Sequence, residues 1–253
     1  MAGIFPNGFK SALGAMNTAI IISGQMRTFA QCYASQKWMV YRHYEPNIHF
    51  FVSCKNDENS ESAGLLLESY QNVHIEKYDD PVLEEIPEMH GRHAPYANAA
   101  SHKNLMLQHW GNKKAWNFLW DYGSPYKFDV IIRMRPDNFF HRFTPKLPCL
   151  ADLEHGNWAF IPWWGKFGGI NDRFAIMGHK AAFTYFELFD EIPNLIKSGC
   201  PFHPESLLAA SLYKHQINVK SDLMAHFSTM RKDGLRWPEV TAEDIAELVA
   251  NGQ

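Results

Sequence analysis

Cysteine is scarce in this chain. There are four in 253 residues, at Cys32, Cys54, Cys149 and Cys200, and no two form a Cys-x-x-Cys pair. That spacing argues against a zinc ribbon or a disulfide framework and fits reduced thiols in a cytoplasmic protein. Long apolar runs are also missing. The longest near the N-terminus, residues 19–22, is far too short to span a bilayer. Only Lys10 is basic before it and no cleavage-like site follows, so it does not read as a signal peptide, and no membrane span is expected. Nor is there an excess of positive charge. The net charge is −3, so no basic field advertises nonspecific binding to nucleic acid. Neither a P-loop nor a G-x-G-x-x-G pattern occurs, and there is no internal repeat or low-complexity segment.

Aromatic residues are plentiful. They make up 14% of the chain, with 8 Trp and 18 Phe, which suits a rigid core or platforms for flat ligands and sugar rings. The apolar share of 46% and charged share of 20% are those of a globular protein, and 253 residues suffice for one large α/β domain or two small ones.

Hydrophobic patterning predicts strands over 18–23, 48–53 and 73–78, with helices over 29–44, capped by Thr28, and 63–70 between them. Alternating strands and helices predict a parallel, doubly wound sheet. Residues 1–17 read as a loose arm and 79–96 as a long irregular segment. A helix over 98–122 presents Leu105, Leu107, Trp110, Ala115, Phe118 and Leu119 as its core stripe, with Gly111 a place to bend. His102, Lys103, Gln108 and Lys114 are its polar candidates. A strand over 129–135 follows, then irregular chain to 153 and a strand over 158–161. A helix over 180–190 has Phe183, Phe186 and Leu188 as core, a helix opening at Pro204 runs to 215, and 217–220 reads as the last strand. Thr241 and Asp244 form a capping box for a helix over 241–249. The predicted domain is therefore 18–240, between an arm at 1–17 and a tail at 241–253.

The chemistry concentrates at Arg133-Met134-Arg135-Pro136-Asp137. Two arginines two residues apart project from one side of an extended chain. Pro136 ends the ladder and Asp137 follows at the carboxyl end of the strand, where α/β sheets bind ligands. Two guanidinium forks and a carboxylate suit an anion that brings a divalent cation, such as a nucleoside diphosphate; the plainer alternative is a strand end whose arginines pair with nearby carboxylates.

Four further stretches are candidates. Ser23-Gly24-Gln25-Met26-Arg27 is either a nucleotide-binding first turn or an ordinary βα turn. Trp163 and Trp164, beside Gly165, Gly168 and Gly169, are either a stacking loop for a sugar or base or a hydrophobic plug. Asp172 is either a general base or a turn aspartate. His203 and Glu205 are either ligand-facing titratable groups or ordinary helix-start residues. His226 comes late, near Arg231, Lys232 and Arg236, where it can close over a phosphate or a metal.

Taken in order, Ser23 to Thr28, Arg133 to Asp137, Asn171-Asp172-Arg173-Phe174 and His203-Pro204-Glu205 resemble a small nucleotide-sugar-dependent glycosyltransferase of the GT-A type, similar to capsule, surface-glycan or virus-encoded enzymes, over residues 18–230. The resemblance implies a Rossmann-like, mostly parallel sheet, with residues 18–140 as the nucleotide-sugar half and 141–240 as the acceptor half. It places Ser23, Gly24, Gln25, Arg27, Arg133, Arg135 and Asp137 on the donor. It places Asp137 and His226 on Mn²⁺ or Mg²⁺, and Trp163, Trp164 and His203 on the acceptor. It gives Asp172 the role of base or acceptor anchor, and Glu205 that of sugar contact or transition-state stabilisation. The sequence departs from the family's Asp-x-Asp, because Arg135 stands at the first acidic position; Arg133 or Arg135 is then expected to neutralise phosphate directly. The competing readings are another phosphate-handling transferase and a non-catalytic nucleotide- or glycan-binding module. A nucleic-acid acceptor is disfavoured by the net charge of −3.

Overall fold

The computed structural model describes residues 16–83, 99–146, 148, 150–234 and 236–237. Its frame is a seven-stranded sheet. Strands β1 (Thr18–Gly24), β2 (Ile48–Lys55), β3 (Val73–Tyr78) and β4 (Val130–Met134) run parallel in the order β3-β2-β1-β4. The sheet continues through β7 (Phe174–Met177), antiparallel to β4, then β6 (Trp158–Pro162), antiparallel to β7, and β8 (Asn218–Leu223), parallel to β6. A second sheet joins β5 (Asn138–Phe143), β9 (Ala225–Met230) and β10 (Arg236–Trp237) with antiparallel pairing. The fold is thus α/β, Rossmann-like and mostly parallel, as the alternation of patterns predicts.

The buried strands are apolar on both sides because both faces are covered. Along β1, Ala19 and Ile21 enter one core, while Ile20 and Ile22 enter the other. The first core is closed by helices α3 (Ala99–Tyr122), α5 (His179–Phe186), α6 (Leu188–Lys197) and α7 (Pro204–Lys214). There Trp116 stacks on Phe186 at 5.3 Å between ring centroids. The second core holds α1 (Phe29–Met39), α2 (Glu61–Leu67) and the inner side of the second sheet, with Phe140, Phe143 and Phe227 packed under Phe174. A short helix α4 (Leu150–His155) leads into β6.

This two-sided burial sets the site. In β4, Ile131 faces the α3 side while Val130 and Ile132 face the other. With a side-chain period of two, Arg133 and Arg135 continue the Ile131 side and point toward α3.

Several expectations change. Helix α1 ends at Met39 and a 3₁₀ turn over Tyr41–His43 follows; Thr28 makes no side-chain cap. Helix α3 runs through Gly111 without a break; a Cβ there would stand 2.9 Å from the Tyr78 hydroxyl. Its core stripe is Leu105, Met106, Ala115, Trp116 and Leu119, with Phe118 half-buried against it; Leu107 and Trp110 are not part of it. The chain after Asp137 is not irregular: it turns straight into β5, whose mixture of polar and apolar residues fits a sheet covered on one face. The helix expected over 180–190 divides at Glu187, and Phe183 is left 52% exposed because Ala182, Tyr185 and Phe186 take the inward face. Strand β8 is not the last, since β9 and β10 follow. Residues 1–15 of the expected arm, 84–96 of the irregular segment and the 241–253 tail lie outside the described residues. Met16 and Asn17 are held in place: the Asn17 N–H donates to Asp129 Oδ2 at 2.9 Å, and the Asp129 N–H returns a bond to the Asn17 carbonyl. Cys32, Cys54 and Cys200 are free thiols. Among the described residues no helix is long and apolar enough to cross a membrane.

Candidate functional site

A cleft of about 560 Å³ opens where the four parallel strands end. Strand order reverses between β1 and β4, since the chain winds outward to β2 and β3 on one side and to β4 on the other; such a switch point leaves a crevice at the carboxyl ends. Gly24, at φ +127°, turns the chain out of β1 beside the Pro136 ring. Ser23, Gly24, Gln25 and Arg27 line this side, and Arg133, Arg135 and Asp137 line the other. All seven expected donor residues therefore share one cavity. Among the described residues, Lys55, Lys103 and Arg231 bring its cationic residues to six, against Asp80 and Asp137. Lys55 is paired with Asp80.

The floor is built from β4 and α3. Arg133 is 1% exposed, yet among the described residues no carboxylate is bonded to it. Its Nη2 donates to Asn112 Oδ1 at 3.0 Å, an oxygen that also accepts from the Ser23 hydroxyl at 2.6 Å. Its Nε and Nη1 have no hydrogen-bond partner among the described residues. Burial lowers the pKa of Arg133 and the neighbouring Arg135 charge adds to the effect. A buried guanidinium beside a second one, with donors unmet, is costly unless an anion completes it.

Arg135 forms a fork with Asp137: Nε to Oδ1 at 2.8 Å and Nη2 to Oδ2 at 2.7 Å. Burial disfavours the Asp137 charge, but Arg135 outweighs it through charge and hydrogen bonds, and Arg133 assists, so the carboxyl is held below its ordinary range. Arg135 Nη1 also donates to Gln108 Oε1 at 3.1 Å, and Gln108 Nε2 donates to Asp172 Oδ2 at 2.5 Å.

Beyond Asp172 the polar groups continue. Arg173 Nε stands 3.9 Å from Asp172 Oδ1, and its Nη2 donates to Glu205 Oε1 at 3.4 Å. Glu205 Oε2 stands 3.0 Å from His203 Nδ1, a contact without hydrogen-bond alignment. Burial and then the Asp172 charge push the Glu205 carboxyl up to about 8. The shift favours the protonated form, whereas the role of stabilising positive charge belongs to the ionised one. His203 is the extended residue before Pro204, which opens α7 and brings Glu205 into the first turn. Asp172 and Glu205 thus flank Arg173, next to the cation floor rather than in it.

Other expected residues lie elsewhere. The Trp164 indole donates to the Ala225 carbonyl at 2.7 Å and its ring packs on Phe227; it is the plug of the two alternatives. Trp163 stands against His226. Neither tryptophan lines the cleft, because the loop turns them toward the second sheet. An exposed aromatic ring near the acids is that of Phe167, 48% exposed and at φ 38°, between Arg173 and His203. His226 is not brought to Asp137. It pairs with Arg142 on β5 while Asn138, next to Asp137, pairs with Thr229, which separates the two sites by ~10 Å along the strands. Burial and Arg142 lower its pKa. Among the described residues no three His, Cys, Asp or Glu side chains group so as to hold a metal, and both Asp137 oxygens are engaged by Arg135. This donor set does not fit a resident Mn²⁺ or Mg²⁺; the positive charge such an ion supplies stands already in Arg133 and Arg135.

Asn104 and Gln108 of α3 line the cleft and Asn112 holds Arg133; of these only Gln108 is among the polar candidates expected from the sequence. The three are spaced four apart and so share one face of α3, a stripe of amides that the sequence does display.

The chain matches no protein-family model, and a search of curated proteins finds no match. Among solved structures it is similar to mouse xyloside xylosyltransferase 1 in its apo form, at 11% identity and TM-score 0.41, covering 80% of this chain and 83% of that one. It is also similar to a nucleotide-diphospho-sugar transferase, so described provisionally, from Desulfovibrio desulfuricans G20, at 12% identity and TM-score 0.35, covering 81% and 78%.

Proposed function

We propose that this protein is a glycosyltransferase that moves a sugar from a nucleotide-sugar donor to a hydroxyl acceptor. One observation carries the reading: Arg133, buried at a strand-order switch point with Nε and Nη1 unmatched, beside Arg135. A diphosphate supplies the missing acceptors and the missing negative charge.

The chemistry then follows from charge. The acceptor oxygen attacks the anomeric carbon as its bond to the diphosphate breaks, and negative charge grows on the leaving group. Arg133 and Arg135 are already in place to stabilise it, with Arg27, Lys55, Lys103 and Arg231 around the rim. The acceptor's proton goes to a carboxylate, and Asp172 adjoins the floor, whereas Asp137 is held by Arg135 and Asp80 by Lys55. Glu205, whose protonated form burial favours, offers an O–H to a sugar hydroxyl, with Phe167 and His203 beside it as the acceptor's platform in place of the two tryptophans. Direct neutralisation by arginine is preferred over Mn²⁺ or Mg²⁺ because Asp137 is taken up by Arg135. The free thiols Cys32, Cys54 and Cys200 support a cytoplasmic setting.

A second reading, a nucleotide- or glycan-binding module without turnover, is favoured by the engagement of Asp172, whose Oδ2 is already bonded to Gln108. The test is a melting-temperature screen against UDP-, GDP-, ADP-, CMP- and dTDP-sugars, each with Mn²⁺ and with EDTA, followed by assay of released nucleotide with glycan acceptors. A donor-specific rise together with turnover supports the transferase; a rise without turnover supports the binding module; no rise with any donor removes both.

A further inference from the structure

Gln108 joins two halves of the site that are otherwise separate. Its Oε1 accepts from Arg135 Nη1 at 3.1 Å and its Nε2 donates to Asp172 Oδ2 at 2.5 Å. The amide has only one orientation here. An arginine offers no acceptor and a carboxylate no donor, so a flipped amide would face two mismatches. Both neighbours are constrained in turn: Arg135 by its fork with Asp137, Asp172 by Arg173 and by Tyr185, whose hydroxyl donates to the Asp172 carbonyl at 2.5 Å. Among the described residues no other side chain is hydrogen-bonded to both Arg135 and Asp172.

We infer that Gln108 is a positioning residue that transmits occupancy of the anion cleft to Asp172. This rests on the donor site proposed above. An anion on the cleft floor competes for the Arg135 N–H groups. When Nη1 turns to the anion, Gln108 loses its anchor and releases Asp172 Oδ2. The Oδ2 site that Gln108 occupies in the empty cleft is then open to an acceptor hydroxyl, and the carboxylate is free to turn toward it. The device favours donor before acceptor: Asp172 is restrained while the cleft is empty and freed when it is filled.

The test is a double-mutant cycle read as pyrophosphate affinity by calorimetry, using the whole chain. Wild type, Asp172→Asn, Gln108→Met and the double variant are compared, with melting curves to show that each is folded. Gln108→Met keeps the length of the side chain and removes both bonds; Gln108→Leu is the substitute if it does not fold. The expected result is that Asp172→Asn changes pyrophosphate affinity in the wild-type background, and that this change shrinks at least about threefold when Gln108 is replaced. Equal changes in the two backgrounds, or none in the wild type, overturn the inference while leaving the donor site standing. No pyrophosphate binding by the wild type overturns both. A merely structural glutamine would lower melting temperature without altering how Asp172 and the anion sense one another.

Discussion

Gly169 and Glu205 touch through their backbones. A Cβ built on Gly169 would lie 2.0 Å from the Glu205 carbonyl oxygen and 2.5 Å from the Ser206 nitrogen. The next residue, Ile170, donates its N–H to that same carbonyl at 3.0 Å. The glycine loop is thereby pressed against the first turn of α7, and Phe167, Asp172 and Arg173 are delivered to Glu205.

Gly169→Ala should therefore destabilise the fold, by about 1–3 kcal/mol as for other overpacked sites, and should disturb the acid pair. Gly64→Ala is the contrast. It lies within α2, where an added Cβ meets only Ile75 Cδ1 at 3.6 Å, an ordinary contact. That change should stabilise by roughly 0.5–1 kcal/mol. Urea unfolding of both variants checks the pair; equal effects would mean that the loop yields freely.

Arg133 is expected to trade stability for binding. Replacing a buried, incompletely bonded cation with an apolar side chain is commonly neutral or stabilising. Arg133→Met should hold or raise the melting temperature while weakening nucleotide-sugar or pyrophosphate binding by roughly 10- to 150-fold, the loss of one or two charge-assisted hydrogen bonds. Melting and calorimetry on the same preparation decide it. A large loss of stability with binding intact would make Arg133 a structural residue.

The contrast between Arg133 and Trp164 shows how far the sequence could be read. The arginines were legible because a strand end fixes its own geometry: side chains two apart share a face, and a parallel strand ends at the ligand side. The first three strands were legible for the same reason, and β3 spans 73–78 as predicted. Trp164 was not, because its environment is set by Ala225 and Phe227, some sixty residues on, through a second sheet whose strands carry mixed polarity. Gln108 shows the middle case. Its place on a helix was clear, but its two partners come from β4 and from the residues before β7.

Metal removal gives a third outcome. With both Asp137 oxygens bonded to Arg135, pyrophosphate or nucleotide-sugar affinity should be the same in EDTA as in Mn²⁺. A strict requirement for Mn²⁺ would show that Asp137 leaves Arg135 when the donor arrives. Asp137→Ala then separates the two cases: it weakens binding only if the carboxylate holds the ion, and otherwise acts by leaving Arg135 unpaired, with a loss of stability of up to a few kcal/mol.

Glu205 should leave a signature in the pH dependence of stability. Its carboxyl is raised from an ordinary 4.5 to about 8 in the folded chain, first by burial and then by Asp172. Below about pH 4.5 the folded and unfolded chains both hold the proton, and the group is neutral in its effect. Between the two values the folded chain keeps a proton that the unfolded chain has released. Stability from this group therefore falls steadily as pH rises across that window, and levels off above about 8 once both states are ionised. Glu205→Gln removes the titration while keeping the shape, so its unfolding midpoint should gain on the wild type from pH 5 to 8 and run parallel above that. Parallel behaviour over the whole range would mean that Arg173, bonded to Glu205 Oε1 at 3.4 Å, keeps the carboxylate ionised. Sugar transfer, which needs Glu205 as a neutral donor in the mechanism above, should fall over the same upper part of the window, and a rise there would assign the base to Glu205 instead of Asp172.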